Sequence, residues 1–149
     1  MDSMDRSILK CLSENSRQSA TEIGQKVHLS VAAVIERIRK LERNGIIQQY
    51  TIVADQHKIG NDVTALMEVS LEHPQYYEEF TQVMNENLNV VACDYLTGDY
   101  DFMLKIQTQS SETLEQLHRV IKSIKGVSGT KTYFVLKEIK SGLTALSEA

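Results

Sequence analysis

The sequence predicts an α+β fold, with an N-terminal winged helix-turn-helix and a C-terminal ferredoxin-like βαββαβ module. Residues 21–50 show a short helix, a tight connection, a longer basic helix and a β-prone segment after Asn44-Gly45, which is typical of a winged helix-turn-helix. From Val63 onward the apolar residues alternate with a period of two, which indicates strands. We therefore expect a DNA-binding domain over residues 1–53, a polar linker over 54–62 and a second domain over 63–149.

The composition indicates a globular protein with a basic head and an acidic body. The 149 residues carry a net charge of −4, but residues 1–50 hold eight Lys and Arg against six Asp and Glu. Cys11 and Cys93 have no paired spacing, so we expect reduced cysteines. No secretory signal or long apolar run is present, which predicts a cytoplasmic protein with no membrane partner. The expected DNA-binding domain would associate it with the nucleoid.

Local signals predict three N-terminal helices. Residues 4–15 place apolar side chains at helical spacing, which predicts the first helix. The segment Ser19-Ala20-Thr21-Glu22 is a capping-box pattern and predicts the start of the second. That helix is expected to end at His28-Leu29, and Ser30 is a suitable N-cap for the third.

The third helix, over residues 30–43, is the predicted recognition helix. Val34, Ile38 and Leu41 form one apolar stripe, and the sequence places small and basic residues on the opposite side. Small first-turn residues permit close approach to base edges, and long cations can contact phosphates or guanine. A basic helix face can also be merely solvated. The predicted DNA-contacting residues are Ser30, Ala32, Ala33, Glu36, Arg37, Arg39 and Lys40.

The segment Ile46–Val53 is rich in β-branched and aromatic residues, which predicts a strand. Two positions are open for it. It is either the wing of the helix-turn-helix or a strand that pairs between subunits.

The C-terminal pattern predicts four strands and two helices in the order β-α-β-β-α-β. The strands are expected at 63–71, 90–96, 100–108 and 127–137, with Thr130, Thr132, Phe134 and Leu136 on one face of the last. Both helices would cover one face of the sheet. The other face carries Leu66, Met103, Tyr133 and Val135, so we expect a second subunit to cover it in a dimer.

The turn around Gly98 can serve two purposes. A glycine turn exposes backbone N–H groups that can hold a carboxylate, and Asp99 or Asp101 could pair with an ammonium group. Alternatively, Gly98-Asp99 is only a hairpin turn, with its aspartate chosen for turn chemistry.

The sequence gives no sign of catalysis. The four histidines are far apart, and no Cys or His lies at metal-ligand spacing. There is no phosphate-binding glycine loop and no nucleophile motif. We therefore predict that the protein is not an enzyme and needs no metal or cofactor.

Three segments together resemble the Lrp/AsnC family of feast/famine regulators: LSVAAVIERIRKLERNGIIQQY, TGDYDFMLKI and GVSGTKTYFVLKEIK. The resemblance covers essentially the whole chain. It implies a winged helix-turn-helix, a ligand-binding domain of the RAM type, dimers that assemble further, often to octamers, and a small effector that is usually an amino acid. In similar proteins the effector lies between dimers, which implies effector-binding positions Gly98, Asp99, Tyr100, Asp101, Thr130 and Thr132.

The leading hypothesis is therefore a sequence-specific transcriptional regulator that acts on double-stranded DNA and is tuned by an amino-acid effector. An alternative is an architectural protein that wraps DNA with weak sequence preference, although the negative net charge disfavours it. A third possibility, a stand-alone amino-acid sensor, leaves the basic helix without a purpose.

Overall fold

Three helices form the N-terminal unit of the computed structural model, which describes residues 1–142 and 144–146. This unit contains residues 1–53 together with the described residues from 140 onward, and a second unit contains residues 54–139. None of the described helices is long and apolar enough to cross a bilayer. The helices of the first unit are α1 (Ser3–Glu14), α2 (Ala20–Val27) and α3 (Val31–Arg43).

Side-chain caps begin each of these helices, as the sequence predicts for α2 and α3. Ser19 and Glu22 form the expected capping box, and the Ser30 hydroxyl accepts a hydrogen bond from the backbone N–H of Ala33. The structure adds a capping box that sequence reasoning did not identify, between Asp2 and Asp5 at the start of α1. Each cap satisfies backbone donors that the first helical turn leaves without an internal partner.

The connection between α2 and α3 is a tight left-handed turn. His28 ends α2 with φ of 55°, and the N–H of Leu29 donates to the carbonyl of Gly24 at 3.0 Å. A Cβ on Gly24 would lie only 2.7 Å from the Leu29 carbonyl oxygen. Glycine at this position therefore lets α3 leave α2 at close range, and the predicted helix-turn-helix is confirmed.

A small core holds the three helices together. Its six buried residues come from all three helices, and the predicted stripe of α3 contributes two of them. They are Ile8, Cys11, Ile23, Val27, Val34 and Leu41. The side chain of Ile38, the third member of the stripe, packs against this core at partial burial.

The segment Ile46–Val53 has no regular secondary structure within the single chain, so the expectation that it forms a wing strand is wrong. The hydroxyl of Tyr50 donates to Glu42 at 2.8 Å, and the side chains of Ile52 and Val53 are exposed. Partial burial and this hydrogen bond raise the pKa of Tyr50 to about 12. A β-prone segment needs a neighbouring strand, and the four described strands pair only with one another. Pairing between subunits stays a prediction.

The second unit has the predicted βαββαβ order. Its sheet is antiparallel with strand order β2-β3-β1-β4, and short 3-10 turns lie at His57–Ile59 and Pro74–Tyr76. The elements are β1 (Val63–Leu71), α4 (Tyr77–Glu86), β2 (Val90–Tyr95), β3 (Phe102–Thr108), α5 (Ser111–Ser123) and β4 (Val127–Phe134).

Two strand boundaries differ from the sequence expectation. The third strand begins at Phe102 and not at residue 100, because Asp101 is used to close the hairpin: its carbonyl accepts from the N–H of Leu96 at 2.8 Å. The last strand ends at Phe134 and not at Lys137. Its register pairs Phe134 with Ala65, so Lys137 lies past the first residue of β1. Leu136, predicted to share the inner face, is 98% exposed.

The main core lies between the sheet and the helices α4 and α5. The alternation predicted for β1 is confirmed, with Ala65, Met67 and Val69 buried. Within this core the ring centroids of Phe80 and Phe102 lie 4.6 Å apart. The eleven buried core residues are Ala65, Met67, Val69, Phe80, Met84, Phe102, Leu104, Ile106, Leu114, Leu117 and Ile121.

Candidate nucleic-acid interface and effector cleft

The solvent side of α3 brings together most of the residues predicted to contact DNA. Ala32 is exposed in the first turn, and Glu36, Arg39 and Lys40 are exposed further along the helix. Ala33 is half-buried, and the hydroxyl of Ser30 is used as the N-cap. Among the residues that the structure describes, neither Arg39 nor Lys40 has an ion-pair partner. Both are therefore available to phosphate groups or base edges.

Glu36 lies in an exposed ion pair with Arg43, at 3.0 Å between Nη2 and Oε1. Both side chains are more than 60% exposed. An ion pair in water contributes only about 0–1 kcal/mol, so an approaching duplex can separate these side chains at small cost.

Arg37 is not on the face where the sequence placed it. The prediction put it opposite the apolar stripe, but its guanidinium donates to Asp2 and Asp5 at 2.7 Å each. Three residues along a helix correspond to a rotation of about 300°, so Arg37 is only about 60° from Val34. It therefore lies on the flank of the buried stripe that faces the start of α1.

Hydrogen bonds and neighbouring charges shift the pKa values of all three side chains in the Asp2–Asp5–Arg37 cluster. The backbone N–H of Asp5 and the guanidinium of Arg37 hold the pKa of Asp2 below its ordinary value. Burial raises the pKa of Asp5, but hydrogen bonds from Arg37 and from the N–H of Asp2 outweigh it and leave the pKa lowered. Hydrogen bonds to Asp2 and Asp5 raise the pKa of Arg37 in turn. All three groups are charged at neutral pH.

Two apolar residues of α3 were missed by the sequence reasoning. Val31 is 43% exposed and Ile35 is 38% exposed. Val31 is the first residue of α3, and Ile35, four residues further on, lies on the same side of the helix. The available signal was this apolar pair outside the buried stripe. Such side chains can contact the methyl group of thymine in a major groove.

A cleft of about 350 Å³ lies on the second unit beside the turn between β2 and β3. Three of the six predicted effector residues line it, namely Gly98, Asp99 and Tyr100. Gly98 has φ of 146°, a conformation that favours glycine. The other lining residues are Glu68, Leu96, Thr97, Lys131 and Tyr133.

Charges of both signs meet in this cleft. The Tyr133 hydroxyl donates to Glu68 at 3.2 Å, and the Lys131 ammonium lies 5.3 Å from the centre of the Tyr133 ring. Interaction with Tyr133 is the main cause that raises the pKa of Lys131, and Glu68 adds to it. With Asp99 on the turn, the cleft offers one cation and two carboxylates to a small ligand.

The remaining predicted effector residues do not line the cleft. Thr130 and Thr132 alternate with Lys131 along β4 and so point to the other side of the sheet, where the Thr130 hydroxyl lies 3.0 Å from Nε2 of His118. The carboxylate of Asp101 accepts from the N–H of Leu71 at 2.7 Å. Asp101 instead lines a separate open cleft of about 400 Å³.

Glu68, Lys131 and Tyr133 were not among the predicted effector positions, because the positions on β4 were taken from the family resemblance and not from the alternation of the strand itself. The signal that finds them is the strand register, which pairs Glu68 with Lys131 across β1 and β4. Residues in direct register share one face of a sheet. No group of three or more potential metal ligands occurs in the part of the chain that the structure describes.

Comparisons with known proteins agree with both units. The model of the AsnC-type helix-turn-helix domain matches residues 1–42, and the model of the Lrp/AsnC ligand binding domain matches residues 64–144. The chain is 31% identical over 143 residues to the leucine-responsive regulatory protein of Escherichia coli, covering 94% of this chain and 87% of that protein.

Solved structures give the same result. A transcriptional regulator of Neisseria meningitidis in complex with L-Met superposes with a TM-score of 0.91 at 28% identity, covering 95% of this chain and 94% of that one. LrpC of Bacillus subtilis gives 0.83 at 34% identity, with 95% and 98% covered. AsnC of Escherichia coli gives 0.89 at 25% identity, with 99% of both chains covered. The chain belongs to the Lrp/AsnC family of transcriptional regulators.

Proposed function

We propose that this protein binds duplex DNA sequence-specifically through α3 and that an amino acid in the cleft of the second unit changes this binding. The observation that carries the proposal is the solvent side of α3. It presents a small first-turn residue, Ala32, beside Arg39 and Lys40, whose charges are not used by any described carboxylate. A helix of this kind can enter a major groove without a side chain blocking its approach.

Different residues of α3 would supply affinity and sequence preference. Lys40 is a flexible point charge suited to phosphate, which carries no sequence information. Arg39 can donate two hydrogen bonds to guanine, and Val31 with Ile35 can contact thymine methyl groups. Glu36 can accept from a cytosine amino group once it separates from Arg43. Together they would distinguish an operator from random DNA.

The cleft is suited to the shared part of all α-amino acids. Lys131 can bind the carboxylate, and Glu68 or Asp99 can bind the ammonium group. Leu96 gives an apolar contact for a side chain. The similar protein from Neisseria meningitidis has been solved with L-Met, which is an amino acid with an apolar side chain.

A second subunit would complete the assembly. The sheet face opposite the helices carries the half-buried Leu66, Met103 and Val135, and Tyr133, which is 40% exposed. Burying this apolar surface favours a dimer, and two copies of α3 would then address two half-sites about one helical turn of DNA apart. Glu68, Lys131 and Tyr133 of the cleft lie on this same face, so the cleft borders the proposed contact surface. We also propose that the effector binds between dimers and that dimers assemble to octamers. Such a protein would be associated with the nucleoid.

The DNA proposal is tested by fluorescence anisotropy with an operator selected from a random library and with unrelated duplex. Lys40→Ala should weaken binding to both and lower the salt slope by about 1, whereas Arg39→Ala should also change the preference at particular base pairs. Lys122→Ala, an exposed lysine on α5, is the matched control. Equal affinity of the wild type for operator and random duplex would favour the architectural alternative.

The effector proposal is tested by calorimetry against the twenty amino acids. The ligand found for the wild type should bind at least tenfold more weakly to Lys131→Gln and to Glu68→Gln, because each change removes one charged contact. Lys122→Gln should bind normally. Unchanged affinity in both cleft variants would place the effector elsewhere.

A further inference from the structure

We propose that Arg37 is a positioning residue of the recognition helix, which fixes α3 against the start of α1 and does not contact bases. The inference rests on the proposed DNA binding through α3. It reassigns a cation that the pattern of the sequence placed among the base-contacting residues.

The geometry joins Arg37 to the backbone of another helix. Its Nη1 donates to Oδ2 of Asp2 and to Oδ1 of Asp5, both at 2.7 Å. The second oxygen of Asp2 accepts from the N–H of Asp5 at 2.8 Å, and that of Asp5 accepts from the N–H of Asp2 at 3.1 Å. Each carboxylate therefore uses one oxygen to cap α1 and the other to hold α3.

The burial of Asp5 makes it unfavourable for Arg37 to leave the cluster and contact a base. The side chain of Asp5 is only 8% exposed. If the Arg37 guanidinium moved to a guanine, it would leave a buried carboxylate without its charged partner. That penalty exceeds what one base contact returns, so the guanidinium stays with the two aspartates when DNA binds.

The position of the cluster explains how it can affect DNA. Arg37 lies in the middle of α3, between Glu36 and the two available cations Arg39 and Lys40. A change in the angle between α1 and α3 displaces all of these side chains together. Loss of the cluster should therefore weaken binding to every duplex by one common factor and leave the order of preferred sequences unchanged.

The test compares Arg37→Gln, Arg37→Lys and the double variant Asp2→Asn/Asp5→Asn in the full-length protein. Asparagine can keep the caps of α1 while removing the charges. Anisotropy titrations with the selected operator, with each single base-pair change in it and with random duplex give the affinities. Circular dichroism at the same temperature confirms that each variant is folded.

We expect Arg37→Gln to weaken binding to all of these duplexes by about tenfold and to leave the base-pair preference profile as in the wild type. Arg37→Lys should retain part of the affinity, because an ammonium can pair with one carboxylate. The asparagine double variant should show the same loss as Arg37→Gln, and adding Arg37→Gln to it should cause no further loss.

Three results would overturn the inference: a preference change at one base pair in Arg37→Gln, wild-type affinity in that variant, or additive losses in the combined variant. If Asp5→Asn prevents folding, the single variant Asp2→Asn takes the place of the double variant. Asp2 is exposed, so its substitution is tolerated more easily, and it removes one of the two carboxylates that contact Arg37. Failure of the wild type to bind any duplex would instead reject the proposed function.

Discussion

The two units of this protein are stabilised in different ways. The second unit has eleven buried core residues and a sheet whose paired strands are far apart in sequence. The first has six buried core residues among those that the structure describes, and its three helices carry two capping boxes and the Asp2–Asp5–Arg37 cluster. Apolar burial therefore dominates one unit, while local polar and backbone features contribute a larger share to the other.

This difference has a functional meaning. A recognition helix must leave a broad polar face open to DNA, so it can bury only a narrow stripe. Its orientation must then be set by contacts that need little area, such as caps and charged hydrogen bonds. The sheet unit has no such restriction on its inner face. A core substitution that leaves a cavity should thus lower the free energy of unfolding most when it is made in the second unit. A substitution in a turn or a charged cluster should lower it most when it is made in the first.

The largest expected effect is that of Phe80→Ala. Phe80 is fully buried against Phe102, so its truncation should lower the free energy of unfolding of the second unit by about 3–5 kcal/mol. Hydrogen exchange should accelerate over residues 63–134 and stay near the wild-type rate in α1 to α3. Val120→Ala, at an exposed site on α5, is the control. Equal acceleration in both units would show that they unfold together and would break the comparison.

Gly24→Ala should cause the next largest loss of stability, and this loss should be in the first unit. A Cβ there would lie 2.7 Å from the Leu29 carbonyl oxygen, so the turn must shift. This shift should lower the free energy of unfolding by about 1–3 kcal/mol. Thermal unfolding and DNA titration should show lower stability and weaker binding. At Gly129 of β4 a Cβ meets no atom within 4 Å, so Gly129→Ala is the matched substitution that should preserve DNA binding. Wild-type DNA affinity in Gly24→Ala would refute the importance of this turn.

His28→Gly should stabilise the first unit by about 1 kcal/mol. His28 has φ of 55°, where a side chain is disfavoured and glycine is not. Differential scanning calorimetry measures the gain. His28→Ala keeps the Cβ and should give none, so a similar gain in both variants would mean that the imidazole and not the backbone is the source of strain.

The smallest effect near neutral pH comes from the aspartate cluster. The pKa values of Asp2 and Asp5 are lowered from 3.8 in the folded chain, so their contribution is fully present above about pH 4 and is lost as the pH falls below it. Hydrogen exchange should show α1 to α3 losing protection in this acid range. Arg37→Gln should reduce the pH dependence, and an unchanged acid profile in that variant would contradict the assignment of the cause.

Much of the fold was predictable from the sequence because its signals are local. The capping box at Ser19, the N-cap at Ser30 and the stripe of α3 involve residues within a few positions of one another, and each is present in the structure. The same holds for the alternation along β1 and for the helical spacing of Leu114, Leu117 and Ile121. The predicted wing strand over residues 46–53 is not formed within the single chain, because strand formation depends on a partner that composition does not supply.

The candidate sites were predictable only in part. The exposed side of α3 and the turn at Gly98 follow from helical spacing and turn chemistry. Strand register brings Glu68 and Lys131 into the cleft beside Gly98, and contact with Asp2, thirty-five residues away, holds Arg37 off the predicted DNA face.

The sequence by itself therefore determined the two units, their order and the helix-turn-helix of the first, because propensity, capping and periodicity act over a few residues. Tertiary structure alone decided which side chains share a surface. Pairing a strand with one register or another, or placing a guanidinium beside a buried carboxylate, depends on energies between residues that are distant in the chain and meet only after folding.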